Sequence, residues 1–312
     1  MTQFFTSSRN RKLRVGILAA WAAVGFTTYA LAGLVKSPLV HGVVVAVALV
    51  LILLPLVLLL AGLAMRNLYA IARREIGSFF LSPVAWVVLT VFLVAFGAIF
   101  CRFLGLASMA PTFYFLSIVL AFIIPMLTMR QIAEERKSGT IEMLTTAPVT
   151  DVELVLGKFL GAFVFFLFML LPTAVYVWVL FHYSSIGPDK WMLAAGYLGT
   201  LLMGAFMLSY GLFLSSISRE QIVVAVVGAM SLFLLWLLGY FLPMNPPASL
   251  APSFWSTVQA AAYRVGSFVA FTRHLEGFSR GEVDSREVVF FLSFTAFFLF
   301  LAVATVSTRK WR

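Results

Sequence analysis

"VAWVVLTVFLVAFGAIFCRFL", Val84–Leu104, contains a single charged residue, Arg102, close to its end. At 1.5 Å per residue a helix of this length covers about 30 Å, the thickness of a bilayer's hydrocarbon core. A barrel strand would alternate polar and apolar residues over ~10 positions, and this run does not. It therefore reads as a transmembrane helix. Ser82-Pro83 in front of it supplies an N-cap and a proline for the first turn. Arg102 at the far end is placed to snorkel toward the interface.

Seven comparable runs follow or precede it: about Val15–Val35, Leu39–Ala64, Phe113–Met129, Val152–Phe181, Trp191–Ser216, Gln221–Leu242 and Val288–Val306. Composition agrees: hydrophobic residues make up 62% of the chain and charged residues 11%, against ~45–50% apolar and ~25% charged in soluble domains. The fold class is all-α, a polytopic membrane bundle. Thr150-x-x-Glu153, Ser218-x-x-Gln221 and Asp284-x-x-Glu287 read as capping boxes opening three spans. Pro55 and Pro172 should kink theirs, which neighbouring helices tolerate.

An even number of spans puts both termini on one side. With that side cytoplasmic, 15 of the 22 basic residues fall inside, as the positive-inside rule requires. The net charge of +10 is thereby explained without nucleic acid, for which basic residues should form a groove interleaved with aromatics. Arg9–Arg14, an apolar run and Ala30-Leu31-Ala32 also resemble a signal peptide, although the run exceeds the usual h-region of ~7–15 residues. Cleavage would leave the remaining topology unchanged.

Outside the spans, Met65–Phe80 has helical periodicity. Arg66, Asn67, Arg73 and Arg74 gather on one side, and Leu68, Ala72, Ile76, Phe79 and Phe80 on the other. This predicts an amphipathic helix in the cytoplasmic interface. Glu75 falls on the apolar side; either it reaches water at the helix edge or it pairs with a basic residue. Pro243–Arg286 is the longest external segment. Asn245–Trp255 is too proline-rich for a helix, whereas Ser256–Phe271 suits a re-entrant or interfacial one.

The chemistry expected of several function classes is missing. Pumps and channels place ionisable residues within their spans, and these spans hold almost none. Lys158, near the inner end of its span, is expected to snorkel. Gly157-Lys158 is followed by Phe159 and lies in a span, so it is no P-loop; Gly157-x-x-x-Gly161 reads as a close helix-packing surface. One cysteine and three scattered histidines give no metal site, and no catalytic constellation is present.

One compact, mixed-charge segment stands against this background: "QIAEERKSGTIEMLTTAPVT", Gln131–Thr150, between two spans on the cytoplasmic side. Ile132–Lys137, with Glu134, Glu135 and Arg136, can continue as helix. Gly139 suits a left-handed C-cap. Thr140 can cap a second short helix with Glu142 in its first turn, Leu144 lies on one face with Ile141, and Pro148 ends it. The segment is either a docking surface for a cytoplasmic partner or a solvated connector.

"RQIAEERKSGTIEMLTTAPVTDVELVLGKFLGA" (Arg130–Ala162) resembles the corresponding stretch of permease subunits of type-2 ABC transporters, in particular the gliding-motility and nitrous-oxide-reductase-accessory branch. "YAIARREIGSFFLSPVAWVVLTVF" (Tyr69–Phe92), "HLEGFSRGEVDSREVVFFLS" (His274–Ser293) and the terminal "RKWR" are similar too. The resemblance implies a six-span permease core over residues 65–312. Within it, 66–81 would be the elbow helix carrying Arg73, Arg74 and Glu75, 130–150 the coupling segment, and 243–286 the external re-entrant region. Residues 1–64 would be an added pair of spans. It implies a membrane-spanning subunit of an ATP-driven transporter, an exporter, in the bacterial cytoplasmic membrane. The chain itself would bind no cofactor; ATP and magnesium would sit in a separate ATP-binding subunit. The ATPase would meet Glu134, Glu135, Arg136, Gly139, Thr140, Glu142, Leu144 and Pro148. A second permease chain, identical or not, would complete the path. A membrane scaffold or assembly factor without transport is the alternative that the nearly uncharged spans also permit.

Overall fold

In a computed structural model of the protein, residues 66–104, 108–137, 149–183, 189–242 and 254–308 are described. The chain divides into two units, Met1–Ala64 and Met65–Arg312, and the described residues all lie in the second. The expected spans before Ala64, with Pro55, lie outside the described residues.

The described elements are helices: α1 (Arg66–Leu81), α2 (Pro83–Phe103), α3 (Ala110–Thr128), α4 (Ala133–Lys137), α5 (Asp151–Leu170), α6 (Ala174–Tyr183), α7 (Lys190–Ile217), α8 (Gln221–Phe241), α9 (Phe254–Val269), α10 (Phe271–Ser279) and α11 (Ser285–Thr308). A 3-10 turn, Leu171–Thr173, separates α5 from α6 at Pro172. Among the described residues six helical segments are long and apolar enough to cross a membrane: α2, α3, α5 with α6, α7, α8 and α11. They match the expected spans.

Helix ends follow local chemistry where it is available. The Thr150 hydroxyl accepts from the Glu153 N–H at 3.2 Å, and the Glu153 carboxylate accepts from the Thr150 N–H at 2.8 Å, so this capping box is complete. The other two expected boxes are corrected. The N-cap of α8 is Glu220, and Ser218 instead accepts from the Glu220 N–H at 3.1 Å; Gln221 is then the first helical residue and cannot fold back from the third. Asp284 accepts from the Arg286 N–H at 2.9 Å, but Glu287 pairs with His274 across to α10. Ser82 precedes Pro83 as expected, yet makes no cap bond and accepts from Arg130 at 3.2 Å.

The core is aromatic. Phe92, Phe96, Phe113, Phe166, Phe271, Phe278 and Phe291 are fully buried, and α3, α5 and α7 form its centre while α11 lies outermost. Trp236 of α8 donates to the Ser117 hydroxyl of α3 at 3.0 Å, which satisfies an indole N–H away from water. The helix expected over Ser256–Phe271 is present as α9, ending at Val269. A second helix, α10, follows at once and inserts Phe271, Leu275 and Phe278 into the core. Gly281, at φ +90°, turns the chain out of α10 in the left-handed region that glycine alone enters freely.

α1 lies against α5. Leu68 and Ala72 are buried, whereas Arg73 and Arg74 are exposed, as the periodicity predicts. The glycine pair on α5 permits the approach. A Cβ on Gly157 would stand 2.7 Å from the Ile71 side chain, and one on Gly161 would stand 2.5 Å from that of Glu75. Gly157-x-x-x-Gly161 is thus a close-packing surface.

Candidate functional site

Arg74 and Glu75 of α1, Glu135 of α4 and Lys158 of α5 converge at the end of the bundle where α3 gives way to α4. Lys158 on α5 is 1% exposed. Its ammonium donates to Glu75 Oε1 of α1 at 2.9 Å and to Glu135 Oε1 of α4 at 2.8 Å. Arg74 reaches Glu135 Oε1 at 3.9 Å from the exposed side. Two cations thus face two carboxylates, and the group is neutral as a whole. This corrects the expectation that Lys158 snorkels to the interface, and of the two readings of Glu75 it selects pairing. A long side chain snorkels when nothing nearby compensates its charge; here two carboxylates do, and burial follows.

Glu134 and Glu135, adjacent in sequence, part ways. Glu135 turns inward to Lys158. Glu134 is exposed and pairs with Arg130, one helical turn earlier, at 3.0 Å. Arg136 lies in α4, but its side chain lies outside the described residues, as do Gly139, Thr140, Glu142, Leu144 and Pro148. Of the eight residues expected to meet a partner, the structure therefore describes the side chains of two.

α4 is tied to its surroundings on every side. The Ser215 hydroxyl of α7 accepts from the Ile132 and Ala133 N–H groups, both at 3.1 Å, and donates to the Met129 carbonyl at 3.3 Å. Gln131 donates to the Lys158 carbonyl at 3.2 Å. Lys137 meets Glu220, the N-cap of α8, at 3.2 Å. A displacement of α4 is therefore passed to α1 and α5 through Glu135, to α7 through Ser215 and to α8 through Glu220. The arrangement suits mechanical transmission. Among the described residues no cluster of His, Cys, Asp and Glu could hold a metal ion.

Sequence reasoning missed Lys158 as the hub. A signal existed: a lysine in a span, beside two glycines, and a carboxylate on the apolar face of the preceding helix needing a partner.

Among curated proteins none matches the chain. Residues 102–303, from the last turn of α2 to near the end of α11, match the family described as ABC-2 family transporter protein. With six spans of the right length and a match over most of its residues, the chain belongs to the ABC-2 transporter family as a multi-pass membrane permease.

Proposed function

We propose that the protein is the membrane-spanning half of an ATP-driven exporter whose engine is a separate ATP-binding subunit docked on Gln131–Thr150. ATP and magnesium belong to that subunit, and two permease cores, identical or not, enclose the path. Both termini face the cytoplasm of a bacterial inner membrane, which the bias of basic residues supports. The likeness of Arg130–Ala162 to gliding-motility and nitrous-oxide-reductase-accessory permeases supports that branch.

The observation that carries this reading is the Glu75–Lys158–Glu135 triad. It joins the start of the proposed docking segment to the elbow helix and to a span by buried ionic contacts. An ATPase can drive the permease only if its ATP-bound and ATP-free forms interact differently with that segment. A rigid link then carries the difference inward. Glu135→Gln keeps the shape and removes the charge. The experiment is co-purification of the ATPase, followed by its hydrolysis rate with wild-type and variant permease. Retained binding with a hydrolysis rate no longer responsive to the permease is expected; wild-type response would overturn the role of the triad. Reversing Glu134, the exposed one of the two glutamates, to Lys should weaken binding itself, because close charge pairs at interfaces couple by ~1.5–7 kcal/mol.

A further inference from the structure

A cavity of about 380 Å³ opens beside the triad, between α1, α2, α3, α4 and α5. Its volume falls within the ~300–1,000 Å³ of small-molecule sites. The lining has two characters. Val84, Val88 and Met126 form an apolar side, with Val84 and Met126 exposed at the mouth. Arg74, Arg130, Glu134 and Glu135 form the other, with Glu75 and Lys158 behind them. Three cations thus face three carboxylates.

These charges are not equally committed. Lys158 is held by two carboxylates in the interior. Arg74, itself exposed, pairs with Glu135 at 3.9 Å, and Arg130 pairs with Glu134 at 3.0 Å and donates to the Ser82 hydroxyl at 3.2 Å; ion pairs open to solvent contribute little and exchange readily. Both guanidinium groups can therefore turn to an incoming anion, while the Glu134 carboxylate and that of Glu135, which keeps Lys158, lie where an incoming cation can meet them. From the apolar mouth an exposed stripe continues along α2 through Val84, Val87, Val91 and Val94, spaced to lie on one face of the helix. The occupant that fits is an amphiphile: a head carrying both signs of charge, and a tail that follows the stripe.

We propose that this cavity binds the headgroup of a zwitterionic phospholipid bearing a primary ammonium, of the phosphatidylethanolamine type. The phosphate accepts from Arg74 and Arg130, which match it in a forked geometry. The ammonium donates its N–H bonds to the Glu134 and Glu135 carboxylates. A choline head offers no N–H donor, and a glycerol head brings no cation to the carboxylates, so both bind less well. The inference uses only the chain's place in a membrane and goes beyond the coupling reading; it stands or falls separately from the ATPase.

The test is native mass spectrometry of the delipidated full-length protein, titrated with phosphatidylethanolamine, phosphatidylcholine or phosphatidylglycerol of identical chains. Phosphatidylethanolamine should bind about tenfold more tightly than the other two, the equivalent of one charge-assisted hydrogen bond. Arg74→Ala with Arg130→Gln should weaken binding of all three lipids, because the phosphate they share loses both guanidinium partners. Ser78→Phe, which narrows the cavity from α1 with all charges kept, should weaken it as well. Equal binding of the three lipids overturns the proposal, and so does unchanged binding by both variants. Complete competition by soluble glycerophosphoethanolamine would assign the cavity to a soluble ligand instead of a lipid. If neither variant folds, the comparison of headgroups on the wild-type protein decides alone.

Discussion

Replacing Lys158 by Met tests the triad most directly. Methionine keeps the length and apolar stem of lysine and removes the ammonium. Glu75, 8% exposed, then loses the cation that answers it at 2.9 Å, and Glu135 loses its 2.8 Å partner while Arg74 stays at 3.9 Å. Breaking a buried pair from one side costs ~3–5 kcal/mol, mainly because the remaining charge is left without compensation. For a domain of this size that corresponds to a fall of roughly 6–20 °C in melting temperature, taking ~2–4 °C per kcal/mol. Glu75→Gln should cost less, about 1–3 kcal/mol, since Lys158 keeps Glu135 and the amide oxygen still accepts a bond. The double variant should be less destabilised than the sum of the two, because the cost of an orphaned carboxylate disappears when both partners are neutral. Intrinsic tryptophan fluorescence during heating in detergent reads all three at one scan rate, which matters where unfolding is irreversible. Additive effects, or a Lys158→Met protein melting with the wild type, would refute the claim that these charges depend on each other.

Other outcomes are equally specific. Gly161→Leu drives a side chain into Glu75, 2.5 Å from where its Cβ would lie; overpacking of ~1–3 kcal/mol is expected, read as faster proteolysis near α1 with the far end of the bundle protected as before. Thr150→Ala removes the one complete capping box among the described residues and should cost ~1 kcal/mol, a shift of roughly 2–4 °C in melting temperature. In a Cys101→Ser background, Ser138→Cys should resist an impermeant thiol reagent in intact cells and Arg280→Cys should react, since they fall on opposite sides of the proposed topology. Labelling of Ser138→Cys from outside would reverse the orientation.

The six described spans were legible because each is a long run of one character, and no tertiary contact is needed to recognise about twenty apolar residues. α1 was legible for a related reason: its arginines and apolar residues sort themselves at helical spacing. What the sequence concealed depends on partners distant in the chain. Lys158 and Glu75 lie 83 positions apart, and neither reveals that the other will meet it. α10 was hidden because nine residues with mixed character carry too little pattern, although its three buried apolar side chains are core. Two of three expected capping boxes failed through small shifts. At α8 the helix begins three residues after Ser218, and at α11 the glutamate found a better partner in His274. The candidate site was half legible: the charged segment announced itself, but the inward turn of Glu135 did not.

The hydroxyl of Ser215 bears on how the chain is made. Five residues are too few for α4 to hold a helix unaided, and the groups that fix its start, the Ile132 and Ala133 N–H bonds, find their acceptor 83 and 82 residues later. At ~5–20 residues per second of synthesis, a ribosome needs roughly 4–17 s to deliver that serine. During this interval the segment after α3 has emerged without its clasp. Its Ser215 contacts form only once α7 has been made, so a truncated or stalled permease lacks the finished form of the segment proposed to receive the ATPase. Assembly order is thereby written into a single side chain.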